Sequence, residues 1–111
     1  APLVSQVADL GYVDPRSYPQ LKCFESGIQF AKAEGIIPAP EANHAVSAAI
    51  DEALRCKVEG KSESILFNLS GHGNYDMQAY TDYFAGKLYD QEYSEEELAM
   101  ALSGLPVTAA A

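Results

Sequence analysis

The sequence predicts an α/β domain, built mostly of helices around one or two strands of a parallel sheet. Three observations carry this reading. Four stretches repeat apolar residues at helical spacing. One run, SILFNLS at 64–70, is almost continuously apolar and of strand length, the pattern of a strand covered on both faces in a parallel sheet. That run ends in a Ser-Gly-His-Gly turn, and in such sheets ligands sit beyond the carboxyl ends of strands.

Taken in order, residues 1–16 are mixed and lead into VDPRSYP. Ser17 with Gln20 reads as a capping box, and Pro19 suits a first helical turn. Leu21, Phe24, Ile28 and Ala31 then predict an amphipathic helix over 18–34, stopped by Gly35. In GIIPAPE the β-branched Ile36 and Ile37 make GIIPA a weak second strand. Pro38 and Pro40 forbid a helix interior and hold the residues before them extended, so Glu41 is left on a short rigid loop as the next helix begins. Asn43 reads as the N-cap of that helix, Val46, Ala49, Ile50, Ala53 and Leu54 as its apolar stripe, and Gly60 as its end. Asp76 reads as the cap of a third helix with Met77, Tyr80, Phe84 and Leu88 along one side. Ser94 and Glu97 form a second capping box, for a last helix whose inner face is Leu98, Leu102 and Leu105; Pro106 closes the ordered part and VTAAA reads as loose.

A parallel strand buried on both faces needs neighbours for its backbone groups, and few are supplied here. The expectation is a chain that dimerises or is the C-terminal slice of a larger α/β enzyme. A length of 111 residues fits one domain or a piece of one. The absence of an initiator Met adds the expectation of chain upstream, and the lack of a basic, cleavable leader points to the cytoplasm. No apolar stretch approaches the roughly 18 residues of a membrane span. A net charge of −9, from 16 acids against 7 bases, argues against a nucleic-acid partner, and the acids of DQEYSEEE at 90–97 read as a solvated surface. Cys23 and Cys56 have no CxxC spacing and no His pair nearby, and read more readily as two reduced, buried thiols than as a disulfide.

Several roles compete for Ser70. A nucleophile elbow needs G-x-S-x-G, and residue 68 is Asn; the only histidines, His44 and His72, are poorly placed as its base. A phosphate cradle lacks the Walker Lys after the glycines. Ser70 as a neutral partner for a ring nitrogen of a bound cofactor remains, as does a tight turn whose Ser merely caps the strand end; by pattern alone the plain turn weighs most. Glu41 and His44 lie one helical turn apart but lack a third ligand, so no metal site is expected and His44 reads as a helix-start hydrogen-bonding group. His72 sits near the site by its address, without an assigned proton transfer. Tyr75, Tyr80, Tyr83 and Phe84 read as core.

The segments PRSYPQLKCFESG (15–27), AEGIIPAPEANHAVSAAIDEAL (33–54) and ILFNLSGHGNYD (65–76) resemble, in that order, the C-terminal part of tryptophan synthase β chains. More narrowly, they resemble the divergent second, β-chain-like class. The resemblance makes residues 1–88 a C-terminal portion of the catalytic domain, while 89–111 read as an acidic helical tail, partly disordered. It implies a type II pyridoxal-phosphate enzyme fold and a lyase that condenses L-serine with indole to give L-tryptophan. It implies cofactor binding by Ser70, matched to the hydroxyl that meets the pyridine nitrogen, and by Gly71 at the ring edge. Glu41 takes the place of the acidic residue lining the cofactor pocket and is the catalytic candidate.

Where the common β chains carry SGRGDKD this sequence has SGHGNYD, and PAPE stands in place of PALE. His72, Asn74 and Tyr75 thus replace Arg, Asp and Lys, which weighs against coupling to an α subunit. None of Lys22, Lys32, Lys57, Lys61 or Lys87 matches the Schiff-base lysine, and the phosphate loop is also absent. The resemblance therefore implies a piece inactive alone, working with the remainder of the β chain in a homodimer. Two alternatives stay open: another type II enzyme, such as a threonine synthase or serine dehydratase, and a non-catalytic folding or regulatory module.

Overall fold

A computed structural model describes residues 2–91 and 94–104. Its elements are α1 (Pro2–Asp9), α2 (Gln20–Glu34), a 3-10 turn (Pro40–Ala42), α3 (Asn43–Glu59), a second 3-10 turn (Gly73–Tyr75), α4 (Met77–Phe84) and α5 (Glu95–Ser103). The body is α2 packed on α3, with both turns and α4 closing over them. Helices α2 and α3 approach through small residues: Ser26, Gly27 and Ser47 are buried, and a Cβ at Gly27 would run into the Asn43 amide.

One polar node joins the body. The Tyr80 hydroxyl donates to the Pro38 carbonyl at 2.6 Å and accepts from Asn43 Nδ2 at 3.1 Å, in a buried setting. The Phe24 ring meets Tyr80 edge-on at 5.1 Å and stacks on Tyr83 at 5.4 Å. Burial pushes the Tyr80 phenol above its ordinary pKa.

The helix ends follow their glycines: Gly35 and Gly60 are left-handed and their N–H groups bond back to carbonyls of the last turn. The starts follow them less well. Helix α2 begins at Gln20 after an N-cap Pro19 that makes no side-chain cap, so the Ser17–Gln20 box does not form. Asn43 is the first residue of α3 rather than its cap, because the 3-10 turn already supplies acceptors for the first amides and the Asn43 side chain is taken by Tyr80. Asp76 sits at the start of α4 without capping it, and α4 stops at Phe84, so Leu88 lies beyond it. The Ser94–Glu97 box forms as expected, with reciprocal bonds of 2.9 and 3.2 Å.

The sheet is the main correction. Among the described residues there is no strand; residues 64–70 run without a ladder, and Leu66 is 98% exposed. GIIPA forms no strand either, and its one pairing is the isolated antiparallel bridge Pro38–His72. A strand exists through neighbours that take up its N–H and C=O groups, and no described segment pairs its backbone with this run, although the Phe67 ring meets Phe30 of α2 edge-on at 5.9 Å. The apolar stripes are also less covered than expected. Val46 is buried, but Leu54, Phe84, Tyr75, Leu98 and Leu102 are exposed. Leu105, Pro106 and VTAAA lie outside the described residues. Helix α1, in the stretch read from sequence as mixed, exposes Leu3 and Val7. Both cysteines are free and buried.

Tyr80→Phe removes the hydroxyl between two buried partners and is expected to cost about 1–3 kcal/mol in urea unfolding. Because the folded phenol stays neutral where the unfolded one ionises, wild-type stability falls as pH rises past about 10, and the Phe variant shows a flatter profile there.

Candidate functional site

The two segments singled out by sequence come together at their backbones. The Gly73 N–H donates to the Ile37 carbonyl at 2.8 Å, beside the Pro38–His72 bridge. A Cβ at Gly73 would strike Pro38 O and the Ile37 side chain, so only glycine lets these loops meet this closely. Gly71 has φ of 75°, and a Cβ there would touch Ala39 at 3.4 Å. Gly71 therefore lies against a residue two positions before Glu41.

Ser70 ends the apolar run 64–70. Its hydroxyl is exposed and makes no hydrogen bond among the described residues. Glu41 lies within the 3-10 turn at the entrance to α3, also exposed, and lines a cavity of about 160 Å³ with Gln20, Cys23, Phe24, Pro40 and His44. No hydrogen bond joins the Glu41 carboxylate to Ser70 among the described residues. The structure thus unites the two loops, not the two side chains. His44 is exposed on the rim of the Glu41 cavity, and the His72 ring lies 5.3 Å from that of Tyr75. No group of three or more His, Cys, Asp or Glu that would hold a metal ion is found among the described residues.

Charged side chains along the helices pair with one another at the surface. Lys22 pairs with Asp51 at 2.9 Å, Lys61 with Glu59 at 2.7 Å and Lys87 with Asp82 at 3.1 Å. Arg55 reaches Glu52, Glu59 and Glu63 at once, while Arg16 links Asp14 to Glu52. Hydrogen bonds from Lys22 and from Arg55 hold the Asp51 and Glu52 carboxyls below their ordinary pKa values. What sequence reasoning missed is the Asn43–Tyr80 pair that holds the Pro38 carbonyl under the site. Asn43 at a helix start has the signature of a cap, and nothing local marks its partner 37 residues on.

No protein-family model matches the chain. Individual relatives do. The chain is 54% identical over 90 residues to the tryptophan synthase beta chain 2 of Aquifex aeolicus, covering 81% of this chain and 21% of the relative. It is 55% identical over 98 residues to the tryptophan synthase beta chain of Thermococcus onnurineus, covering 88% and 22%. That of Pyrococcus horikoshii is 52% identical over 101 residues, covering 91% and 22%. Over most of its length the chain is homologous to tryptophan synthase β chains. The resemblance carried by its three segments is thereby borne out, and the relatives include proteins named beta chain 2. The chain spans about a fifth of the length of these tryptophan synthase relatives.

Gly73→Ala is expected to break the close approach of the two loops. The amide at residue 73 should then exchange with solvent markedly faster, and unfolding in urea should show a loss of about 1–3 kcal/mol, as for other overpacked positions.

Proposed function

We propose that this chain is the C-terminal portion of a pyridoxal-phosphate-dependent tryptophan synthase β chain of the second class, a lyase of the type II fold. It supplies the pyridine-nitrogen side of the cofactor pocket. The observation that carries the reading is the exposed Ser70, without a hydrogen-bond partner among the described residues, at the end of the apolar run and next to Gly71, which lies against the loop that bears Glu41. High identity to β chains over most of the chain supports it. The names of these relatives favour it over a threonine synthase or a serine dehydratase.

The residues suit the group. An exposed hydroxyl with no partner among the described residues is open to a ring nitrogen, and Gly71 beside it presents no side chain to the ring edge. When bound, pyridoxal phosphate supplies an electron sink for bond cleavage at an amino acid. Ser70 tunes that sink. A neutral hydroxyl does not hold the pyridine protonated, so the pull is weaker than beside a carboxylate, which favours β-replacement on L-serine by indole over transamination. Glu41 is the acidic group of the site. Residues 64–70 become a covered strand when the remainder of the β chain supplies neighbours, in a cytoplasmic homodimer. His72, Asn74 and Tyr75 make coupling to an α subunit weak.

Three outcomes test this. The isolated chain should show no condensation of L-serine with indole, and measurable turnover would contradict the reading. In the complete β chain, Ser70→Asp should protonate the pyridine and divert serine to side products; an unchanged product spectrum counts against Ser70 as the ring partner. Glu41→Ala should lower kcat by at least about 100-fold, the scale of a lost acid–base group, with little change in melting temperature. Equal losses in both would make Glu41 structural.

A further inference from the structure

We infer that Asp90 is a positioning residue, which clasps the first turn of α2 and so sets the wall of the cavity that holds Glu41. The clasp stands on geometry alone; its catalytic consequence rests on the role proposed for Glu41. Helix α2 has no side-chain cap and no acid in its own first turn. A helix start leaves N–H groups without partners at the positive end of its dipole. Here the Leu21 N–H donates to Asp90 Oδ1 at 2.9 Å, across 69 residues of sequence. A carboxylate at this position makes a charge-assisted bond and opposes the dipole.

The segment leading to Asp90 is held at its other end as well. Lys87 pairs with Asp82 on α4 at 3.1 Å, and its N–H donates to the Asp82 carbonyl at 2.9 Å. Residues 87–90 thus form a strap fixed to α4 at one end and to α2 at the other. Beneath it lies a groove of about 800 Å³ lined by residues 17–20 and 87–91. Gln20 borders both this groove and the Glu41 cavity, and Cys23 and Phe24 continue the cavity wall one turn along. The start of α2 is the shared wall. Pulling on it from Asp90 fixes the face presented to Glu41. The strap also assigns the start of the acidic tail, read from sequence as separate after residue 88, to the body of the domain.

The test is hydrogen exchange by mass spectrometry on the full polypeptide that carries this segment, without cofactor, for wild type, Asp90→Asn and Asp90→Ala. Asn keeps an acceptor oxygen and drops the charge; Ala drops both. The peptide containing Leu21 should exchange about tenfold faster in the Ala variant, the ratio for a charge-assisted bond of modest strength, with Asn in between. The peptide containing Glu41 should follow in the same order, while one from α5 should not move. Wild-type exchange at Leu21 in both variants, or changes confined to 87–91, would overturn the clasp. Should the Ala variant fail to fold, the Asn variant decides by the same two peptides. With cofactor and substrates, both variants should lower kcat with the serine KM unchanged, Ala more than Asn. If kcat is untouched while Glu41→Ala abolishes it, Asp90 does not position Glu41. If Glu41→Ala itself leaves kcat intact, the role given to Glu41 fails and the clasp still stands or falls on exchange.

Discussion

The buried hydroxyl of Tyr80 is the point on which the rest of the body depends. It donates to a carbonyl of the proline loop and accepts from the first residue of α3, while its ring lies edge-on to Phe24 of α2. A single side chain from α4 therefore fixes the relative placement of three other elements. Polar groups at this depth are stabilising only when paired, and here the pairing is what makes the arrangement specific. The Pro38 carbonyl it holds belongs to the residue that bridges to His72, so the node also anchors the turn after Ser70.

Around the node the packing is close because the residues are small. Gly27 admits the Asn43 amide, and Gly73 admits the backbone of the proline loop. These two glycines do different work from Gly35 and Gly60, which end helices through a left-handed backbone. Apolar burial is modest by comparison. Among the described residues only a few hydrophobic side chains are fully covered, and much of the apolar surface of α1, α5 and residues 64–70 faces solvent. The chain spans about a fifth of its relatives' length, and this apolar surface is left open.

The site shares this openness. Its backbone framework is assembled: two loops are joined by a hydrogen bond, a bridge and a glycine contact. Its side chains are not yet enclosed, since Ser70 and Glu41 are both open to solvent. Electrostatics divide in the same way. The ion pairs along α3 are exposed and mutually satisfied, so they shape the outer face, whereas Ser70 has no hydrogen-bond partner among the described residues.

Local chemistry was legible in the sequence wherever the cause was local. The helical spacing from Leu21 to Ala31, the glycine stops, the Ser94–Glu97 box and the rigid proline loop before Glu41 all depend on residues within a few positions of one another. The likeness of three ordered segments to tryptophan synthase β chains was legible too, and the relatives bear it out. Tertiary structure decided the rest. Asn43 has the side chain of a cap, yet burial beside Tyr80 turned it to a distant hydroxyl; the start of α2 has the letters of a capping box, yet a carboxylate from residue 90 took that place. SILFNLS has the composition of a covered strand, but a strand is made by its neighbours, and composition cannot supply them.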